Sequence, residues 1–176
     1  FYESGKIHFI GVSNWTTQRI EEANKFAEKN GMEPIRISQI NYSLAHSSVE
    51  TFGDNTLVCM DTKEFRWYKK HDFPVMAFSP QAKGFFAKLA KGDAANNLPE
   101  GQYAGPANLA RLAKVKQLSE QTGDTPAKIT LGYLNSQPFF VSSVFAVTKL
   151  WQLDEDMEAQ DLTYDPKTVA FLENMI

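Results

Sequence analysis

The sequence is poor in the residues that usually form disulfides and bind metal ions. It has one cysteine, Cys59, and three histidines among 176 residues. A single cysteine excludes an internal disulfide and is typical of a reducing compartment, so we predict a cytoplasmic location. The histidines are scattered, and no group of Cys and His has the spacing of a metal site. We therefore expect no bound metal.

Long apolar runs and clusters of basic residues are also missing. No run approaches the roughly 20 apolar residues of a membrane span. The net charge is −3 and no Lys/Arg cluster interrupts it, so neither nucleic acid nor a membrane is predicted as a partner. The composition, 43% hydrophobic and 22% charged, is typical of a globular protein. The length suits a single domain covering residues 1–176.

Four short apolar runs alternate with longer helical patterns. Gly, Pro, Asn and Ser bound these runs, which indicates strands; they cover 6–13, 34–43, 73–80 and 139–145. The helical patterns cover 16–31, 56–71, 108–123, 125–136, 152–160 and 165–175. A loop rich in Gly, Asn and Ala is predicted over 91–106. Strands that alternate with helices predict right-handed crossovers and a parallel sheet.

This order is compatible with an open α/β sheet or with part of a (β/α)₈ barrel. A complete barrel takes about 250 residues, so four strands would form about half of one. In both architectures ligands bind at the carboxyl ends of the strands. The predicted strands carry Ser13, Asn14, Gln39 and Phe78 there. Amides both donate and accept hydrogen bonds and an aromatic ring stacks on a planar heterocycle, a combination that suits a nicotinamide.

Several of these residues also have simpler interpretations. Ser13 and Asn14 are both favoured helix N-caps, Gln39 is compatible with a satisfied polar residue in the core, and Phe78 with a core aromatic. The three tryptophans, at 15, 67 and 151, are predicted to pack helices on the sheet. Cys59, inside the helical pattern 56–71, is predicted to be a small buried hydrophobe.

Five segments together resemble the aldo-keto reductase family, in the order in which that family has them. They are "GKIHFIGVSNW", "ISQINYSL", "WYKKHDFPVMAFSPQAKGFF", "TPAKITLGYLNSQP" and "QLDEDMEAQDL". The first three resemble the fifth, sixth and seventh barrel strands, and the last two resemble the helices on either side of the eighth. The resemblance covers the whole chain. It implies a TIM-barrel type of (β/α)₈ fold of which this chain is the second, carboxyl-terminal half.

The resemblance implies a nicotinamide cofactor, NADP(H) in preference to NAD(H), and assigns residues to each part of it. The residues at the nicotinamide are Ser13, Asn14, Gln39 and Phe78. Those along the pyrophosphate are Ser79, Gln81 and Gly84. Those near the ribose phosphate and adenine are Thr148, Lys149, Gln152, Glu155 and Asp156.

The adenosine end departs from the family pattern. The family often has Gly-Pro-Arg-Ser or Lys-Ser after its eighth strand, where this sequence has Ala-Val-Thr-Lys at 146–149. Lys149 offers a point charge in place of a bidentate arginine. Gln152 stands where arginine is frequent, and Asp156 where asparagine is frequent. An acid at that place repels a 2′-phosphate.

The family's catalytic Asp, Tyr, Lys and His lie on its first four strands, and nothing here matches those strands. We therefore assign no catalytic residue in this chain. The resemblance implies the cofactor-binding half of an oxidoreductase that reduces aldehydes and ketones, inactive alone. The alternative is a catalytically silent half-barrel that serves as a binding or interaction module. In both cases we expect an amino-terminal half, or self-association, to close the barrel.

Overall fold

The computed structural model describes residues 1–92 and 103–173. Its four strands are β1 (Ile10–Ser13), β2 (Ile35–Asn41), β3 (Val75–Phe78) and β4 (Val141–Val144). The helices before β3 are α1 (Thr17–Lys29), α2 (Val49–Phe52) and α3 (Thr62–His71). Those after it are α4 (Phe85–Ala90), α5 (Pro106–Thr122), α6 (Pro126–Asn135), α7 (Leu150–Met157) and α8 (Pro166–Leu172).

The strands form one parallel sheet in the order β1-β2-β3-β4. Each strand therefore pairs with the next one along the chain, and the sheet grows in a single direction. The prediction of a parallel α/β sheet is confirmed. Because all four strands run the same way, their carboxyl ends lie along one edge of the sheet.

One face of the sheet carries the hydrophobic core. Ile40 of β2 and Val75 and Ala77 of β3 are fully buried, and they cluster with apolar side chains of α3, α5 and α6. Side chains alternate between the two faces of a strand. Gln39, next to Ile40, and Phe78, next to Ala77, therefore lie on the other face, and both are only half-buried. The described chain thus has a covered face and an open face.

Two helices begin where their capping residues predict. Thr125 and Asp165 are N-caps, each followed by proline at the first helical position, where its missing N–H costs nothing. The N-cap of α1 is Thr16, whose side chain accepts a hydrogen bond from the backbone N–H of Arg19, so the interpretation of Ser13 and Asn14 as helix caps is wrong. Capping residues act within one helical turn, so their effect can be predicted without the tertiary structure.

The segment before α3 differs from its prediction. The helix starts at Thr62 behind the N-cap Asp61, whereas the pattern placed its start at residue 56. Cys59 lies in an extended segment that bridges Asn41, so its predicted helical position is wrong, although it is buried. The short helices α2 and α4 were not predicted. Of the predicted loop 91–106, residues 93–102 lie outside the described residues.

Substitution of two helical leucines, one buried and one exposed, tests the position of the hydrophobic core. Leu134 in α6 is 0% exposed and Leu109 in α5 is 47% exposed. We expect Leu134→Ala to lower the free energy of unfolding by about 2–5 kcal/mol, because it leaves a cavity in the core. Leu109→Ala should change it by less than about 0.5–1 kcal/mol. Urea unfolding followed by tryptophan fluorescence measures both, and equal losses would contradict this core.

Candidate functional site

The open face brings three of the predicted residues to one edge of the sheet. Ser13 on β1 pairs with Gln39 on β2, and Gln39 pairs with Met76 on β3. Phe78 follows Met76 by two residues, so its side chain lies on the same face. Ser13 is exposed, and Gln39 and Phe78 are half-buried. A hydroxyl, an amide and an aromatic ring from three strands therefore share one accessible surface.

Asn14 turns the chain immediately after β1. Its φ of 56° is in the left-handed region, which asparagine tolerates better than most residues. The backbone N–H of Asn14 donates to the carbonyl of Gln39 at 2.9 Å. Its side-chain Oδ1 accepts the backbone N–H of Val58 at 3.1 Å. Asn14 is thus first of all a structural link between β1, β2 and the segment before α3.

Asn41, at the end of β2, is a second asparagine that holds this edge. It is 1% exposed, and its Oδ1 accepts a hydrogen bond of 2.6 Å from the Ser47 hydroxyl. Its backbone N–H donates to Val58 and its carbonyl accepts from Met60. Buried amides persist where their hydrogen bonds are made. Asn41 therefore has a structural role, and it orders the segment that Asn14 also contacts.

The turn after β3 has an unusual backbone. Ser79, Ala82, Lys83 and Gly84 all have φ between 50° and 80°, and three of them are not glycine. Non-glycine residues in this region carry a free-energy cost of about 1–3 kcal/mol each, and such residues concentrate at binding sites. The turn leads directly into α4 at Phe85. A strained connection of this kind next to the open strand ends points to a ligand site.

A cavity of about 630 Å³ lies between this turn, the segment after β4 and α7. Seven predicted site residues line it: Ser79, Gln81, Gly84, Thr148, Gln152, Glu155 and Asp156. Its volume falls within the range of roughly 300–1,000 Å³ that is usual for small-molecule sites. Lys149 does not line it. Ser13, Asn14, Gln39 and Phe78 lie outside its wall, although the cavity starts at Ser79, next to Phe78.

Gln81 and Asp156 connect the two sides of the cavity. The Gln81 Nε2 donates a 2.6 Å hydrogen bond to Oδ1 of Asp156, and Asp156 is 4% exposed. Burial raises the pKa of Asp156, the bond from Gln81 lowers it to a smaller extent, and the charge of Glu155 raises it further. This carboxylate is thus held in a position that disfavours its charged form.

Gln152 holds the start of α7. Its Oε1 accepts hydrogen bonds from the backbone N–H of Thr148 at 3.1 Å and of Lys149 at 3.0 Å, and the Thr148 hydroxyl lies 3.2 Å away. The side-chain oxygen is therefore occupied by its own helix terminus. Gln152 and Thr148 shape this wall of the cavity by ordering the turn.

Cations and an aromatic ring that the sequence analysis did not assign to the site also line the cavity. The cations are Lys83, Lys88 and Lys91. Trp151 is 53% exposed, so the prediction that it packs a helix on the sheet is wrong. The Lys91 ammonium lies 5.1 Å from the centroid of the Trp151 ring. The sequence carried no signal for these lysines, because α4 was not predicted and Lys91 was placed in the loop 91–106.

The described lining residues include no histidine, tyrosine or cysteine. Within 1–92 and 103–173, no group of three or more His, Cys, Asp or Glu side chains is arranged to hold a metal ion. Over the same residues, no helix is both long and apolar enough to cross a bilayer.

Comparison with known proteins identifies the family of this chain. The profile of the aldo/keto reductase family matches residues 1–176. The chain belongs to this family. The protein Tas of Escherichia coli K12 is 23% identical to it over 175 residues, which are 98% of this chain and 49% of Tas. The Tas protein of Shigella flexneri gives the same values.

A solved structure shows the same fold. The thermostable aldo-keto reductase Tm1743, crystallised with the inhibitor epalrestat, superposes with a TM-score of 0.65 at 18% identity. The match covers 99% of this chain and 51% of Tm1743. The chain thus spans about half the length of the relatives and of the structure that it matches. The likeness at this identity concerns the fold.

The burial of Asp156 has a measurable effect on stability. A carboxyl whose folded pKa is raised binds protons more tightly in the folded state, so stability falls as pH rises above about 4 and through the folded pKa. We expect Asp156→Asn to raise the free energy of unfolding at pH 7, because it removes the buried charge and keeps an acceptor for Gln81. The gain should shrink toward pH 4.

Asp154→Asn is the matched control. Asp154 is exposed on the same helix, so its replacement removes the same charge without relieving burial. Urea unfolding at pH 7 and pH 4 compares both variants with the unmodified chain. A loss of stability at pH 7 in Asp156→Asn, or an equal gain in Asp154→Asn, would contradict the assignment of a burial cost to Asp156.

Proposed function

We propose that this chain is the cofactor-binding half of an aldo-keto reductase that reduces aldehydes or ketones with a nicotinamide dinucleotide. The observation that carries the proposal is the continuity of one sheet edge. The amide and hydroxyl groups of β1 and β2 lead to Phe78, and Phe78 leads to the cavity that starts at Ser79. Such an edge suits an elongated ligand with a planar ring at one end.

The open face supplies the nicotinamide end. The Ser13 hydroxyl and the amides of Asn14 and Gln39 are suited to hydrogen-bond a carboxamide, which both donates and accepts. The half-buried ring of Phe78 offers a surface for stacking. These side chains orient the nicotinamide, and the bound cofactor supplies the hydride. Their contribution is a preorganised geometry.

The turn after β3 supplies the pyrophosphate end. Ser79, Gln81 and Gly84 line its side of the cavity, and the Ser79 hydroxyl is a hydrogen-bond donor suited to a phosphate oxygen. Lys88 and Lys91 add positive charge on the same side. Together they suit a diphosphate.

The segment after β4 and the helix α7 supply the adenosine end. The residues proposed here are Thr148, Lys149, Gln152, Glu155 and Asp156. The exposed ring of Trp151 adds an apolar surface to this wall. The family resemblance favours NADP(H), whereas the acidic side chains of α7 do not suit a 2′-phosphate.

In this proposal, the half of the barrel that donates the proton is not part of this chain. The family's tetrad of Asp, Tyr, Lys and His belongs to strands that these four do not match, and the cavity wall has no tyrosine or histidine among its described residues. In the family, the tyrosine protonates the developing alkoxide, which is general acid catalysis. The lack of tyrosine and histidine among the described residues of the cavity wall also favours the second candidate function, a catalytically silent half-barrel that serves as a binding or interaction module.

Cofactor binding tests the first proposal. We expect NADH or NADPH to bind the purified chain at micromolar concentration and to quench tryptophan fluorescence, without consumption of the cofactor when an aldehyde is added. Phe78→Ala should weaken binding by about tenfold, in line with the roughly 1–3 kcal/mol lost when a stacking ring is removed. Phe140→Ala is the control, since Phe140 is exposed beside the amino end of β4.

Binding of neither cofactor would contradict the proposed function and favour the silent module. Equal losses in the Phe78 and Phe140 variants would contradict the stacking role. Aldehyde-dependent loss of absorbance at 340 nm with the pure chain would show that the catalytic residues lie within it.

We further propose that the open face is covered by other strands in the intact protein. Parallel sheets are normally covered on both faces, yet β1 and β4 are outer strands of the described sheet. Ile10 and Val144 on these strands are exposed apolar residues. The chain spans 49–51% of its relatives, so a half of the same length would complete an eight-stranded barrel. The cytoplasmic location also remains a proposal, supported by the single cysteine.

The uncovered edges predict self-association of the isolated chain. We expect light scattering after size exclusion to show dimers or larger species. Ile10→Lys should shift them toward monomer, because a charge on an edge strand opposes pairing. Phe26→Lys on α1 is the control, as Phe26 is exposed away from the sheet. A stable, well-behaved monomer of the unmodified chain would contradict the proposed closure.

A further inference from the structure

A buried tyrosine hydroxyl beside the strand ends has no hydrogen bond. Tyr103, which precedes α5, is 3% exposed, and its hydroxyl makes no hydrogen bond with the residues that the structure describes. Burial raises the pKa of this hydroxyl, and the nearby side chains of Asn41 and Ser79 lower it to a smaller extent. Because a buried donor without a partner costs free energy, its position calls for a physical explanation.

Packing holds the ring of Tyr103 in place. The ring lies edge-on to Phe52 of α2, with 5.9 Å between the centroids, and its centroid is 6.2 Å from that of Phe85 at the start of α4. The backbone carbonyl of Tyr103 accepts a hydrogen bond of 2.9 Å from the side-chain amide of Asn108, which is itself buried. These contacts keep the hydroxyl close to the ends of β2 and β3.

The hydrogen bonds of Asn41 determine what remains for Tyr103. The side-chain oxygen of Asn41 accepts the Ser47 hydroxyl at 2.6 Å. Its amide nitrogen lies 3.5 Å from the carbonyl of Phe78, which is long for a hydrogen bond. An amide nitrogen only donates, so Asn41 offers its N–H to the oxygen of Tyr103. The phenolic hydrogen of Tyr103 is then left for the oxygen of Ser79.

Ser79 connects this buried group to the cavity. It directly follows β3 with a φ of 53° and lines the cavity wall. A hydroxyl donates one hydrogen bond and accepts others, so a Ser79 oxygen that accepts from Tyr103 keeps its own hydrogen for a ligand. Successive donors in such a chain polarise one another. A chain that ends in a donor suits a ligand group that has acceptors only, such as a phosphate oxygen.

We infer that Tyr103 is a positioning residue whose hydroxyl fixes Ser79 as a hydrogen-bond donor toward a phosphate oxygen of the cofactor. The inference rests on the proposed cofactor function. Rotation of the Ser79 side chain pairs it with the Tyr103 hydroxyl, and the hydrogen bond from Tyr103 strengthens the one that Ser79 makes to the phosphate. Tyr103 itself does not line the cavity, so it acts only through Ser79.

Tyr103→Phe tests this role, because it keeps the ring and removes the hydroxyl. We expect NADH and NADPH each to bind the full chain about fivefold more weakly, in line with the net contribution of one hydrogen bond. Titration followed by tryptophan fluorescence measures both affinities. The free energy of unfolding in urea should not fall, because the deleted hydroxyl makes no hydrogen bond with the described residues. A residue with a purely structural role would lose stability and affinity together.

Tyr164→Phe is the matched control. The hydroxyl of Tyr164 is also buried and unpaired among the described residues, and Tyr164 lies outside the cavity wall. Its replacement should leave both affinities unchanged.

Ser79→Ala completes a double-mutant cycle. If Tyr103 acts through Ser79, Tyr103→Phe should weaken cofactor binding in the unmodified chain and have no further effect in Ser79→Ala. An unchanged affinity in Tyr103→Phe, a loss of stability in that variant, equal losses of affinity in both backgrounds, or an equal loss in Tyr164→Phe would overturn the inference and leave the proposed function standing. Binding of neither cofactor by the unmodified chain would overturn both.

Discussion

The parallel register of the four strands is the constraint on which the rest of this structure depends. Ser13 pairs with Gln39, and Phe78 lies two residues beyond the partner of Gln39. A slip of one residue in either pairing would exchange the two faces of a strand. It would turn the polar side chains toward the core and Ile40 or Ala77 toward solvent. The burial of those apolar residues therefore also determines where the candidate site residues point.

Two asparagines maintain this arrangement where the strands end. Asn14 links β1 to β2 through its backbone and to Val58 through its side chain. Asn41 is buried and pairs with Ser47, Val58 and Met60. Backbone groups at strand ends lose their ladder partners, and a short polar side chain can replace them. These hydrogen bonds hold the rim in a defined geometry.

The cavity beside this rim combines strain with separated charge. The left-handed turn from Ser79 to Gly84 persists because its surroundings hold it, and the bond between Gln81 and Asp156 is one such restraint. That bond also keeps an acid inside a site whose opposite wall is cationic.

The amino-acid pattern alone determined the alternation of strands and helices, the parallel sheet, most helix starts and the family. These features depend on local capping, on the period of apolar residues and on short motifs in a recognisable order. The start of α3, the short helices α2 and α4, and the exposed Trp151 were not predictable in this way, because contacts with distant segments decide them. Cys59 shows the reason: its extended backbone is stabilised by pairing with Asn41, 18 positions away along the chain.

The candidate site, too, was only partly predictable from the sequence. The residue types at the strand ends were legible in the sequence, but only the tertiary structure showed which of them share a cavity. It also showed that the Gln152 side-chain oxygen accepts hydrogen bonds from its own helix start, and that Lys88 and Lys91 line the same cavity as the acids of α7. Charges and hydrogen bonds act over a few ångströms in space. Their partners are therefore set by how the elements pack and not by the order of residues in the chain.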